Sequence, residues 1–455
     1  MRGSILYIFI IGLFICTLCG CEDVLNPKPN NILSAEIVLT SPDDVPQVRI
    51  GLYNALRSTA ALSVVAGDLT ADLVVHNGTF TVYNELSNKR IPSTNEAAAE
   101  FWRTIYNVVY ITNFIEERLP GLAGVPTVEK NRLMAEARLL RGYVYFIGAN
   151  TFGGIPLVTT TDVETNSNIG RSSKEEILAF ALENITQSIG GLPDSSTIGA
   201  GYANKYVARA LLARYYLYQG DWVQAEQFAT QVINSGQYQL EPSFSTIVTK
   251  DFTRESILEV GYGATDDPGS DTYSLNNLFV GRREVIPANS FLLKIINNES
   301  GDRNLTVSFD VRNQRGNDNG FSVAKYGTSD ADNNNIVLFR LAEMYLIRAE
   351  ARARQGKLTG AGGAIADINV LRTRAKANTI TSSNQSDILT AIENERLYEL
   401  AFEGHRWYDL VRTQRANAVM TTFSSNWKDT YTVWPVPQIE IQRNPALRGH
   451  QNPGY

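Results

Sequence analysis

Few of the residues that staple or metallate a fold are present in this chain. Of 455 residues only three are cysteine, Cys16, Cys19 and Cys21, and only three are histidine. With no cysteine beyond position 21, a disulfide framework is excluded from the body of the chain. No pair of histidines stands one helical turn apart, so the His-pair spacing of a helix-borne zinc site is missing as well. Long apolar runs are also missing. The one near the start, Ile5 to Leu18, is too short and too poorly flanked to be a stable membrane span. Positive charge is in deficit: the formal net charge is −6, or −7 once Arg2 leaves with a leader, and no basic stripe offsets it. That argues against nucleic acid as a partner.

The composition that remains is that of a folded body. At 44% hydrophobic and 19% charged, the chain is long enough for one large or two ordinary cores and too apolar to be disordered. Residues 1–20 read as a signal peptide. Leu18-Cys19-Gly20-Cys21 puts a small residue immediately before a cysteine at the end of the apolar run, as a lipoprotein signal peptidase requires if Cys21 is to become the lipidated first residue. Cys16 and Cys19 would leave with the leader and Cys21 would be acylated, which suits an oxidising envelope compartment. Asn26-Pro27-Lys28-Pro29-Asn30 then forbids a helix and favours an extended tether.

The stretch that organises the rest runs from Glu393 to Thr413. Leu397, Leu400, Ala401 and, beyond Gly404, Trp407, Leu410 and Val411 recur at three- and four-residue steps, which puts them on one buried face of a helix or of two abutting helical pieces. Arg396, Glu399, Glu403, His405, Arg406, Asp409 and Arg412 interleave so densely that some must be buried and paired. This predicts a polar lock inside an α core. His405 with Glu403 or Asp409 is the competing acid–base reading, but no nucleophile on a sharp turn accompanies it.

Elsewhere the pattern is mainly helical. A helix apolar over much of its girth covers Phe101 to Ile115 and buries Trp102. Met134 to Tyr143 continues to a Gly153-Gly154-Ile155-Pro156 stop. Ala203 to Tyr238 reads as helix–turn–helix with Gly220-Asp221-Trp222 at the turn, and Leu341 to Ala375 repeats the plan around Gly356. Two loose copies predict a tetratricopeptide-like scaffold of stacked helical pairs.

Two segments break the periodicity, residues 66–99 and 240–335, and mix turn formers with aromatics and amides. Loops of this kind on a helical frame are where a binding face is expected. Asp266, Asp267 and Asp271 lack the alternation and terminal Glu of a calcium loop. No cofactor is called for.

RLYELAFEGHRWYDLVR, with VLFRLAEMYLIRAEARARQG upstream and VPQIEIQRNPALRGHQNPGY at the end, closely resembles the SusD/RagB family of surface lipoproteins. The resemblance runs from Cys21 to Tyr455 and implies a single SusD-like domain over 21–455. Glu22 and Asp23 resemble the acidic positions after the lipidated cysteine in surface-exposed lipoproteins of that bacterial group. The resemblance implies that the prolines after Trp434 wrap back onto the body. It also implies a lipid-anchored protein of the outer membrane that caps a SusC-like TonB-dependent transporter and captures an oligosaccharide. A peptide, as in RagB-like members, and a structural adaptor without its own ligand are the alternatives. No enzyme is implied, since sugars are held by aromatic faces and by Asn, Asp and Arg hydrogen bonds. The two insertions are therefore expected to converge on one shallow platform of Phe80, Tyr83, Tyr273 and Phe279, rimmed by His76, Asn77 and Arg283.

Overall fold

Several of the helices start where a side chain accepts the first free amides. In the computed structural model, which describes residues 39–195, 199–262, 274–327 and 334–455, α1 spans Val45–Val64 and α2 Glu96–Arg118. The Asn95 side chain accepts from the Ala98 amide at 3.0 Å and caps α2. A 26-residue helix, α3 (Thr127–Phe152), ends at Gly153. It packs on α4 (Lys174–Ser188), whose Ser173 and Glu176 form a reciprocal capping box. Asn204 caps α5 (Lys205–Gln219), and Asp221 caps α6 (Trp222–Ile233) across a left-handed Gly220. Gly356, also left-handed, follows α7 (Leu341–Arg354), which pairs with α8 (Ala364–Arg374). Next come α9 (Gln385–Glu399) and α10 (Arg406–Arg412). The predicted helical pairs are therefore α5–α6 and α7–α8, and α3–α4 forms a further pair across the longer Gly-Gly-Ile-Pro connection.

These helices enclose one large core that includes Leu52, Leu56, Phe101, Ile105, Phe146, Leu211 and Trp407, all almost fully buried. Trp102 is buried too and lies edge-on to Phe152 at 5.2 Å. The C-terminal segment returns to this core. Trp434 is fully buried, its backbone amide donates to the Thr151 carbonyl at 2.7 Å, and Asn452 donates to the Phe152 and Trp434 carbonyls.

Running through the core is the expected polar lock. Arg340 donates to Glu403 at 2.8 Å and to Glu399 at 2.7 Å. Arg374 reaches Glu255 at 2.6 Å and also binds Glu399. Arg303 donates to Glu399 at 3.0 Å and pairs with Glu395, which also meets Arg372 at 3.0 Å. Burial alone would raise these carboxyls; the guanidinium groups beside them outweigh it and hold Glu399 and Glu403 below the usual range. The lock ties α8 and α9 to the second insertion, so its charges are structural.

The first insertion begins later than its composition suggests. Residues Val65–Leu69 are buried, and they continue α1 as a π-turn. A Cβ on Gly67 would stand 2.1 Å from the Gly404 carbonyl oxygen, so Gly67 marks two backbones in contact and not a loop. The exposed part starts with β1 (Val74–His76) and a short helix, Thr81–Ser87. The second insertion is closed at its base by β2 (Ser256–Val260) paired antiparallel with β6 (Ile336–Arg340). Between them lie β3 (Val285–Pro287) and a hairpin of β4 (Val307–Phe309) and β5 (Phe321–Val323). The leader with Cys21, the acidic run of Asp266, Asp267 and Asp271, and Tyr273 lie outside the described residues. No helix among the described residues is long and apolar enough to cross a membrane.

Candidate functional site

The two insertions meet edge to edge. β1 pairs antiparallel with β3, with Val74 opposite Pro287, Val75 opposite Ile286 and His76 opposite Val285. Just past the ladder, the amides of Asn77 and Gly78 donate to the Glu284 carbonyl at 2.8 and 3.0 Å. The Glu284 carboxylate then accepts from the amides of Thr79 (2.8 Å) and Phe80 (2.9 Å). Gly78 permits this closeness: a Cβ there would lie 2.1 Å from Glu284 Oε2. Burial pushes the Glu284 carboxyl up, and the Phe80 amide and Arg282 outweigh it, so the group stays ionised.

Around this turn sits a polar network open to solvent on one side. Asn77 donates to Asp318 at 3.1 Å and to the Arg283 carbonyl at 3.1 Å. The Arg283 guanidinium grips Asp318 at 2.7 and 2.8 Å and also meets Ser322. Burial raises the Asp318 carboxyl, and the hydrogen bonds from Arg283 and the Gly320 amide bring it below its ordinary value. His76 is pushed down by burial against a weaker upward pull from Glu284, which leaves its ring neutral at pH 7. Its Nε2 is enclosed and has no partner among the described residues.

Aromatic faces accompany the network. The Arg282 guanidinium lies 4.1 Å from the Phe80 ring centre. On the hairpin, Phe309 is 53% exposed and tilts against half-buried Phe321 with ring centres 5.0 Å apart. A cavity of about 570 Å³ adjoins the β1–β3 pair and is lined by Asp72, Val75, Asn289, Lys294, Asn319 and Phe423 among others. Asn319 connects cavity and hairpin, donating to the Pro287 carbonyl and to Asn289 at 2.9 Å each.

Convergence is thus found, with a different set of rings from the one expected. His76, Asn77, Phe80 and Arg283 come together. Tyr83 does not join them, because it is fully buried on the inner face of the short helix with Leu86 and Ser87. Phe279 is also fully buried, stacked on Tyr326 at 5.8 Å and edge-on to Phe402 at 5.7 Å. At the junction the structure instead brings in Asp318, bonded to Asn77 and Arg283, and Phe309, packed on Phe321. The available signal was Gly320, a turn former just ahead of the aromatic Phe321, at the end of the connection between β4 and β5.

The acid–base reading of His405 fails on geometry. Glu403 is occupied by Lys325 and Arg340, and Asp409 by Arg396 and Arg412. Burial among cations holds the His405 ring neutral. Its nearest carboxylate, Glu343, stands 4.0 Å away and is itself bound by Arg214 at 2.6 Å.

Comparison with known proteins gives a uniform result. The profile of the SusD family matches residues 182–455, and one described as "starch-binding associating with outer membrane" matches residues 23–217. SusD-like protein P25 of Formosa agariphila is 25% identical over 98% of both chains. The starch-binding protein SusD of Bacteroides thetaiotaomicron is 36% identical over 32% of this chain and 25% of its own. Among solved structures, a laminarin-binding SusD-like protein superposes with a TM-score of 0.79 at 24% identity, covering 91% of this chain and 100% of the other. Surface glycan-binding protein A of Bacteroides thetaiotaomicron, solved with laminarihexaose, gives 0.76 at 20% identity over 91% and 100%.

Proposed function

The chain belongs to the SusD family, and from that premise we propose that it captures an extracellular oligosaccharide at the meeting point of its two insertions. It is held at the outer membrane by a lipid on Cys21, faces outward, and passes the glycan to a SusC-like TonB-dependent transporter. The observation that carries this reading is the junction itself: Asn77, Arg283 and Asp318 in one hydrogen-bonded set, beside the Phe80 ring and the exposed Phe309–Phe321 pair. Sugar C–H faces stack on such rings, while hydroxyls exchange hydrogen bonds with the amide, guanidinium and carboxylate groups.

Binding fits these groups better than hydrolysis does. A glycosidase needs one carboxyl held protonated as a general acid. Glu284 and Asp318, the carboxylates of the junction, are both held ionised by their neighbours. Relatives that bind laminarin and starch support a glycan over a peptide. The test is a glycan array probed with the soluble chain lacking its leader, followed by the Phe309→Ala and Asn77→Ala variants on the glycan that binds. Retention by the parent chain and weaker retention in both variants are expected. A blank array, or variants that bind as the parent does, would remove the proposal. For the anchor, Cys21→Ala should release the protein from the membrane fraction; continued membrane retention would refute the lipid anchor alone.

A further inference from the structure

A second cavity, of about 370 Å³, lies among α7, α9 and α10 and shares no lining residue with the one beside β1. Five guanidinium groups line it, those of Arg354, Arg396, Arg406, Arg412 and Arg415, against the carboxylates of Glu350, Glu393 and Asp409. Most of these charges are spent on one another. Arg412 gives Nε to Asp409 at 2.8 Å and both terminal nitrogens to Glu350 at 2.8 and 2.7 Å. Arg406 turns away to Asp72 at 2.8 and 3.2 Å, with its remaining nitrogen 3.5 Å from Glu393. Arg415, whose side chain is 51% exposed, approaches Glu393 at 3.3 Å from the mouth.

Arg396 is the exception. Its side chain is 2% exposed and its Nε donates to Asp409 at 2.7 Å. Both terminal nitrogens are enclosed and meet no acceptor among the described residues. Asp409 is shared between Arg412 and the Arg396 Nε, and Glu350 is taken by Arg412 in a two-pronged bond, so neither carboxylate bonds the terminal nitrogens of Arg396. Counting Asp72 behind Arg406, the group retains one positive charge in excess. A buried guanidinium with unspent N–H groups is costly unless something accepts from them. The planar fork of those donors matches a two-oxygen face such as a carboxylate or sulfate presents.

We propose that this cavity binds a small free oxyanion of the carboxylate or sulfate class, with Arg396 as its principal donor and Arg415 at its mouth. The glycan junction contributes none of these residues, so the two sites are tested separately. The soluble chain is titrated with sodium sulfate and sodium acetate against sodium chloride at matched ionic strength, following both heat and melting temperature. In parallel, crystals are soaked in selenate and read by anomalous scattering. A saturable response to sulfate or acetate that chloride does not reproduce is expected, with selenate within hydrogen-bond reach of Arg396. Arg415→Gln should weaken binding about tenfold, as loss of one charged hydrogen bond does, and Arg396→Gln should abolish it. Water alone in the selenate-soaked cavity overturns the proposal, and so does a response equal to that of chloride. Selenate without a saturable response in solution identifies an adventitious ion only, which also overturns it. The soak and the titration of the parent chain need no variant, and together they decide the matter even if Arg396→Gln does not fold.

Discussion

Two arginine–carboxylate clusters in this molecule use the same chemistry to opposite ends. In the lock, Arg303, Glu395 and Glu399 have no exposed side-chain surface, and Arg340 is 2% exposed. Arg340 and Glu399 meet only protein partners there, drawn from β6, α8, α9 and the second insertion. In the junction, Arg283 and Asp318 remain 12% and 13% exposed, and their partners Asn77 and Ser322 lie on surface turns and strands. An enclosed network whose charges are paired with one another fixes a fold. One that borders solvent keeps lone pairs and protons for a ligand. The most recognisable stretch of the sequence, Glu393 to Thr413, feeds the first cluster, and the proposed ligand choice rests on the second.

If this division is right, variants of the two clusters separate stability from binding. The largest effect is expected from Glu399→Ala, which strands Arg340, Arg374 and Arg303 without a shared carboxylate and should cost about 3–5 kcal/mol by denaturant unfolding. Trp407→Ala belongs with it: the side chain is fully buried, with Trp427 edge-on at 5.7 Å, and its loss should cost about 3–5 kcal/mol. Unaltered melting of either variant would show that the lock region is not what holds the helices together.

A pH experiment sharpens the comparison. Glu399, Glu403, Asp409 and Glu350 are all depressed by neighbouring arginines despite burial. Their contribution is therefore present above the ordinary carboxylate range and is lost as pH falls through the folded values, giving acid-labile stability. Asp68 behaves oppositely, because burial raises it from an ordinary 3.8 to about 8. Between those values the folded chain holds a proton that the unfolded chain releases, so this group lowers stability as pH rises. Asp68→Asn should therefore abolish a decline in melting temperature between roughly pH 5 and 8. An identical pH profile in variant and parent would contradict it.

The smallest effects are expected at the junction. Phe309→Ala should leave melting nearly unchanged, since the ring is half exposed, and should weaken glycan binding by about 0.5–1.5 kcal/mol in affinity electrophoresis. A large fall in stability would move Phe309 from the binding face to the core.

How far the sequence led is clearest from particular residues. Helical pairing was legible because Gly220 and Gly356 punctuate runs with a 3.6-residue period. The lock was legible because Arg396, Glu399 and Glu403 interleave with buried apolar positions, although the helix ends at Glu399 and Glu403 lies in the turn that follows. Convergence of the insertions followed from their interrupting the same helical frame. Which rings face outward did not follow. Tyr83 sits on a helix of only seven residues, too short for its inner and outer faces to be told apart by period. Gly67-Asp68 read as a turn because the partner that buries it, Gly404, is more than three hundred positions away. Asp318 owes its role to Asn77 and Arg283, and no local pattern encodes that meeting.

If the junction binds while the lock folds, the double variant Asn77→Ala/Asp318→Ala separates the two most directly. Its dissociation constant for the glycan found on the array is measured beside its melting temperature. A loss of affinity of about tenfold or more, with stability lowered by no more than about 1 kcal/mol, is the predicted result. Undiminished glycan affinity in a folded double variant would contradict it.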